Sequence, residues 1–588
     1  MDRGSSETRH GMRIDWDVPI EMDDGIVLRC DVYRPVAPGR YPVLMSYGPY
    51  GKWLHFDDGY PAQWRDMIAR FPEVASNTSN EFQCWEIVDP EKWVPDGYVV
   101  VRVDSRGAGR SPGIIDIWSA REARDYFHCV EWAGAQDWSN GRVGLNGISY
   151  FAENQWQVAA LRPKHLAALC IWEGATDFYR DMGHHGGIFC NGFCVNWPTR
   201  QVYSVQHGRG ANGPKSRMNG GLVGGDITLS KEELAANRND FGSDVRRHKL
   251  ATDRYWTSRT PDWSKIRVPL LSTANWGGHG LHTRGNFEGW LAAGSEEKYL
   301  EVHGDLHWTH FYSNFGVGLQ KRFFGHYLRG EETGWEKQPR VFLHVRHPGE
   351  KFVARDETEW PLARTKWTKF YLEPDGETLA AKAPRKAASV SYRGGGDGLT
   401  FLSAPMKEAT EITGPSAAKL FVSSSTEDAD IFIVLRVFAP DMKEVTFIGA
   451  IDPHQPVALG WLRASHRRLD AKKSLPYRPW HTHDKVEKLA PGQVVELDIE
   501  ILPTSIVVPK GYRIGLSVRG RDYVYTGEPS TMYGEGRDPM TGVGSFRHDD
   551  PQDRPAAVFH HGEVTLHAGP DRQPYLLLPV IPAGRSAA

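Results

Sequence analysis

Apolar residues in the first third of the chain come in short unbroken or alternating runs. Residues 26–33 (IVLRCDVY) and 41–46 flank a Pro38-Gly39 turn signal, which predicts two strands. Residues 98–104, YVVVRVD, are nearly all apolar, as in a parallel strand buried on both faces. Helical spacing follows over 122–135, a third strand run over 143–146, and a helix over 155–161 that stops at Arg162-Pro163. Residues 166–172 are again apolar and strand-like. This alternation predicts an α/β protein with a doubly wound sheet.

The rhythm breaks after Thr176. Residues 176–262 are rich in Gly, Asn, His and Trp, then turn charged and helical over 230–250, and read as a mostly helical cap insertion. Strand and helix runs resume at 268–273, up to 291, at 298–302 and up to 328. The catalytic domain is therefore expected at 13–175 and 263–350. Beyond it, helical periodicity is scarce. Short alternating runs at 366–372, 419–423, 431–438, 495–501, 513–518 and 557–561 predict a β-sandwich of jelly-roll type over 351–588. Residues 1–12 read as a loose tail.

Composition narrows the function. With 70 basic against 73 acidic side chains, a net charge of -3 and no long basic block, nothing points to nucleic acid or an anionic membrane surface. No apolar run reaches membrane-spanning length, and Met1 to Arg13 lacks the apolar core of a signal peptide. The six cysteines are dispersed except for Cys190 and Cys194, so the reading is a cytoplasmic protein with free thiols. Most of the 21 tryptophans are expected in the core, with some lining a pocket.

The strongest local signal is Gly147-Ile148-Ser149-Tyr150-Phe151, running from a strand into a helix. A serine on such a turn is exposed above the sheet edge, with the N–H groups of the next helix facing any oxyanion formed there. Gly147 supplies the small residue that the turn needs, while Phe151 stands where G-x-S-x-G has its second glycine. Ser149 is the predicted nucleophile.

Together with Gln155-Trp156-Gln157, this stretch resembles the nucleophile region of the cocaine-esterase / X-prolyl dipeptidyl-peptidase family of serine hydrolases. Asp104-Ser105-Arg106-Gly107-Ala108-Gly109-Arg110-Ser111 is similar to that family's D-x-R-G-x-G-x-S loop, and Pro49-Tyr50-Gly51-Lys52 to its P-Y-x-K segment. The resemblance covers nearly the whole chain and implies an α/β-hydrolase fold with a C-terminal jelly roll. It also implies that the Tyr50 hydroxyl and the Tyr150 N–H form the oxyanion hole. A preorganised donor pair of this kind is worth a few kcal/mol per donor to the transition state.

A base and an acid complete the set. The loop after the strand at 298–302 holds His307 and His310. Its position three residues past Gly304 favours His307, while His310 fits the family's W-x-H pattern through Trp308. The family's W-x-D is replaced by Trp276-Gly277-Gly278, so the acid must come from elsewhere. Glu173 ends the strand at 166–172, on the same sheet rim as Ser149, and the order Ser149, Glu173, His307 is that of the fold. Asp177 and Asp305 are the alternatives.

Other clusters carry less. His184, His185, Cys190 and Cys194 have poor zinc spacing, so no metal is expected. Gly107 and Gly109 do not open a helix, so no dinucleotide cofactor is expected, and Arg106 is read as bracing the sheet rim with ion pairs. The expected reaction is hydrolysis of an ester, or secondarily an amide, in a small or medium acyl substrate through an acyl-enzyme. The rivals are an X-prolyl-type peptidase or amidase, an acyltransferase, and a catalytically silent ligand-binding protein. A homo-oligomer is left open.

Overall fold

A computed structural model describes residues 4–528 and 540–582. Its first sheet has eleven strands, in the order Ser6–Arg9, Met12–Glu21, Val27–Pro35, Val99–Asp104, Tyr41–Gly48, Ser139–Ile148, Leu166–Trp172, Leu270–Asn275, Lys298–His303, Val341–His347 and Lys351–Glu357. The seven from Val99–Asp104 to Val341–His347 pair in parallel, and the strands at both ends pair antiparallel. Val99–Asp104 and Leu270–Asn275 are buried at every residue, and Val99–Asp104 accordingly reads as a nearly all-apolar run. The helices Ala120–Gly134, Tyr150–Ala160 and Thr283–Ala292 pack against the sheet. Its parallel strands carry their C-terminal ends to one rim.

After the sheet comes a second, antiparallel-rich β domain with its own apolar core. Its longest strands, Thr410–Ser424 and Val495–Val508, pair over most of their length. The α/β-hydrolase architecture with a C-terminal β domain is as expected from the sequence.

Several expectations need correction. Residues 6–9 are not part of a loose tail: Ser6–Arg9 is a strand paired with Met12–Glu21. Met12, Ile14 and Trp16 alternate inward, and Trp16 meets Tyr33 edge-on at 5.7 Å, which anchors the segment. Lys351–Glu357, assigned to the sandwich, is the edge strand of the first sheet. Its charged, exposed side chains conceal it in the sequence. The expected strand at 557–561 is one helical turn, Ala556–Phe559, begun by Pro555. The strands of that region are Glu563–Ala568 and Tyr575–Ile581.

Between Trp172 and Leu270 lie short helices, among them Asn191–Trp197, Lys231–Ala236 and Phe241–Arg247, with a small hairpin of His184–His185 and Ile188–Phe189. Among the described residues no helix is long and apolar enough to cross a membrane.

Candidate active site

The strand Ser139–Ile148 ends one residue before the helix Tyr150–Ala160, and Ser149 is the hinge between them. Its φ of 56° with ψ of -118° is a conformation that L residues rarely adopt. The Ser149 N–H donates to the Trp172 carbonyl at 3.0 Å, tying the strained turn to the neighbouring strand. A Cβ on Gly147 would stand 2.4 Å from the Cβ of Phe151 and 3.2 Å from the Glu86 carbonyl oxygen. Phe151 finds its room elsewhere. A Cβ on Gly48, at the end of the facing strand, would come within 2.5 Å of its ring. The small residue missing after Ser149 is thus supplied by Gly48.

Tyr150 is the first residue of the helix, so its N–H has no partner within the helix. Its phenol donates to Glu122 at 2.5 Å and its ring stacks on Trp118. Tyr50 follows the strand Tyr41–Gly48 in a loop pinned by Lys52. The buried Lys52 ammonium lies 3.1 Å from Asp17 and 3.5 Å from both Asp31 and Asp104, and the backbone N–H of Lys52 donates to Asp104 Oδ1 at 2.7 Å. The Tyr50 hydroxyl accepts from Trp197 Nε1 at 3.2 Å, which leaves its hydrogen for another acceptor. Burial pushes this phenol well above its ordinary value, so it stays protonated as a donor.

His307 and Glu173 meet directly. His307 Nδ1 lies 2.8 Å from Glu173 Oε2. Glu173 sits just past its strand with φ 47°, and its other oxygen receives His303 Nε2 at 3.0 Å and Asn275 Nδ2 at 3.2 Å. His303 Nδ1 in turn lies 2.7 Å from Glu301 Oε2. On the far side, His307 Nε2 lies 2.9 Å from Glu86 Oε1. The groups form a buried chain: Glu301, His303, Glu173, His307, Glu86. Burial alone would raise the Glu173 carboxyl, but the His307 charge and the hydrogen bonds from His303 and His307 hold it well below the ordinary range. His282 stacks on His307 with ring centres 4.7 Å apart, and Glu153 lies 3.4 Å from His282 Nδ1.

The alternatives lie elsewhere. Asp177 pairs with Arg180 at 2.5 Å, and Asp305 with Arg70 at 2.9 Å. The His310 ring packs against His303 and Phe71. Gly277 is closed by the second domain: a Cβ there would stand 2.3 Å from the Cα of Gly449. The same segment holds the base loop, because the His307 N–H donates to the Ala450 carbonyl at 2.9 Å. Arg106 braces the rim through two bonds to Asp125, at 2.7 and 2.9 Å. Of the four His and Cys residues considered for metal, His185 and Cys190 lie with His548 so that one donor atom of each is within 4.8 Å of the others. The two imidazoles there bond each other directly at 2.8 Å.

Ser149, His307, Glu86, Glu153, His282 and Tyr50 line one cavity of about 230 Å³. Its walls include Tyr60, Trp85, Trp118, Trp197, Trp308 and Phe546. Sequence reasoning missed Glu86, Glu153, His282 and the His303–Glu301 pair. Only the last had a usable signal: residues two apart on a strand share a face, and His303 ends that strand.

This fold, with a strained serine at a strand–helix junction and a carboxylate-bound histidine in the same cavity, is that of an α/β-hydrolase-class serine hydrolase. Residues 24–312 match the model of the X-Pro dipeptidyl-peptidase (S15 family), and residues 333–576 match the X-Pro dipeptidyl-peptidase C-terminal non-catalytic domain. The chain belongs to this family. It is 24% identical over 634 residues to cocaine esterase of Rhodococcus sp. (strain MB1 Bresler), covering 96% of this chain and 98% of that one. A solved CocE/NonD family hydrolase from Staphylococcus aureus superposes with a TM-score of 0.83 and 32% identity, covering 97% of this chain and 94% of that one. An α-amino acid ester hydrolase shares the fold at a TM-score of 0.65 and 16% identity, covering 97% of each chain.

Proposed function

We propose that the chain hydrolyses carboxylic esters of small or medium acyl groups through an acyl-enzyme on Ser149. The Ser149 oxygen attacks the ester carbonyl carbon while its proton passes to His307 Nε2. The negative charge that develops on the carbonyl oxygen is met by the Tyr50 hydroxyl and the Tyr150 N–H. Collapse breaks the bond to the alkoxide, which takes the proton from His307, and water repeats the sequence to release the acid. Glu173 keeps the Nδ1 hydrogen of His307 in place and stabilises the imidazolium.

The observation that carries this reading is the 2.8 Å contact of His307 with Glu173 in the cavity that holds Ser149. Ester cleavage is favoured by the similarity to cocaine esterase. A second reading, cleavage of an amide next to a free amino group, is favoured by Glu86 and Glu153. Both line the cavity, and in each one carboxylate oxygen has no hydrogen-bond partner. Six unpaired, buried cysteines fit a reducing compartment, and we place the protein in the cytoplasm.

A panel of nitrophenyl esters and aminoacyl anilides separates the two readings. Turnover of the esters with weak or absent anilide cleavage is expected. Efficient cleavage of the anilides alone would overturn the ester assignment.

A further inference from the structure

His307 stands between two carboxylates, and the second is on the wrong side for catalysis. In the mechanism proposed above, Nε2 must take the proton of Ser149, yet this nitrogen lies 2.9 Å from Glu86 Oε1. With Glu173 on Nδ1 as well, both ring nitrogens face acceptors. With both carboxyls ionised, the two hydrogen bonds require a hydrogen on each nitrogen, and such an imidazolium has no lone pair left for a proton. Burial raises the Glu86 carboxyl, while the hydrogen bond and charge of His307 oppose that rise.

Glu86 is held where it is by the nucleophile strand. Its carbonyl accepts the Ile148 N–H at 3.0 Å, and its backbone has φ 63°. The side chain is buried, and Oε2 has no hydrogen-bond partner. A buried, half-satisfied carboxylate on a strained backbone is costly and persists only where the surroundings over-determine it.

On the reading that Ser149 and His307 are nucleophile and base, we propose that Glu86 is a positioning residue that latches His307 in a resting, unreactive state, and that reaction begins when Glu86 leaves Nε2. The charged surroundings favour the latch. Glu173 holds one edge of the ring, and His303 with Glu301 lies behind Glu173. His282 covers the ring face, where burial and the His307 charge hold it well below its ordinary value and so neutral. Glu153 beside it is raised well above its ordinary value, chiefly by burial. Within the loop of His307 itself, Asp305 is engaged by Arg70 and His310 is held far down, chiefly by burial. Burial disfavours the His307 charge, but Glu173 and then Glu86 outweigh it and raise the imidazole well above 6.5.

The test is the rate at which a fluorophosphonate labels Ser149 as a function of pH. Only neutral His307 serves as base, so labelling rises as pH passes upward through the pKa of His307. In the wild type this rise is expected well above pH 6.5. In Glu86→Gln it moves down by about 1–3 pH units, the usual effect of one adjacent opposite charge. Labelling at pH 7 then becomes at least about tenfold faster. A wild-type rise at or below the ordinary imidazole value overturns the proposal without any variant, which covers the case of a Glu86→Gln protein that fails to fold. So does a folded Glu86→Gln whose rise is unmoved or whose labelling is lost at every pH. Failure of the wild type to be labelled at Ser149 at any pH would instead remove the proposed nucleophile, and the latch with it.

Discussion

Two neighbouring strand ends on the same rim have met opposite fates. Leu166–Trp172 and Leu270–Asn275 run in parallel register, Trp172 beside Thr273. The first continues into Glu173, whose carboxylate reaches His307 at 2.8 Å. The second continues into Trp276-Gly277-Gly278, where the family resemblance implies an acid at Gly278. A Cβ on Gly278 would stand 3.0 Å from Thr283 Oγ1, and one on the neighbouring Gly277 2.3 Å from the Cα of Gly449. On the proposed mechanism, the acid stands one strand over from the position that the family resemblance implies, at the same rim of the sheet. Asn275, at the end of the vacated strand, still supports the relocated acid through its 3.2 Å bond to Glu173.

The sharpest way to break this comparison is Glu173→Gln. The amide keeps the shape but removes the charge that fixes the imidazole tautomer, and a loss of about 10⁴ in kcat is expected. Steady-state kinetics with a nitrophenyl ester would measure it. A drop below about tenfold would mean that the acid did not move there.

Tyr50→Phe should cost about 10²–10³ in kcat with little change in KM, as for one oxyanion donor. A change confined to KM would reduce Tyr50 to a wall of the cavity.

The smallest effect is expected at the other strand end. Gly277→Ala forces a methyl against Gly449, an overpacking that costs about 1–3 kcal/mol. A lowered thermal midpoint with kcat changed far less than in Glu173→Gln would show that this corner is now architectural.

Much of this contrast was legible in the sequence, for physical reasons. Parallel strands buried on both faces must be unbroken apolar runs, so the sheet and the residues at its C-terminal rim could be located. Glu173 stands one step beyond the apolar run 166–172, and Ser149 was marked by the Gly-x-Ser pattern between a strand and a helix. Glu86 was out of reach because nothing in the 82–88 text marks a strand end. Its place comes from a left-handed backbone and a bond to Ile148, both tertiary facts. His282 was likewise hidden, since stacking on His307 depends on the turn after Gly277-Gly278. The compensation of Phe151 by Gly48 joins residues on different strands, which no local motif records. Lys351–Glu357 was hidden for the opposite reason, being too polar to read as a strand.

The most direct measurement of the central claim is to map the fluorophosphonate adduct by mass spectrometry in the wild type and in His307→Ala and His310→Ala. The account predicts a single adduct on the peptide containing Ser149, formed by the wild type and by His310→Ala and lost in His307→Ala. An adduct on another serine, or one that survives His307→Ala and disappears in His310→Ala, would contradict it.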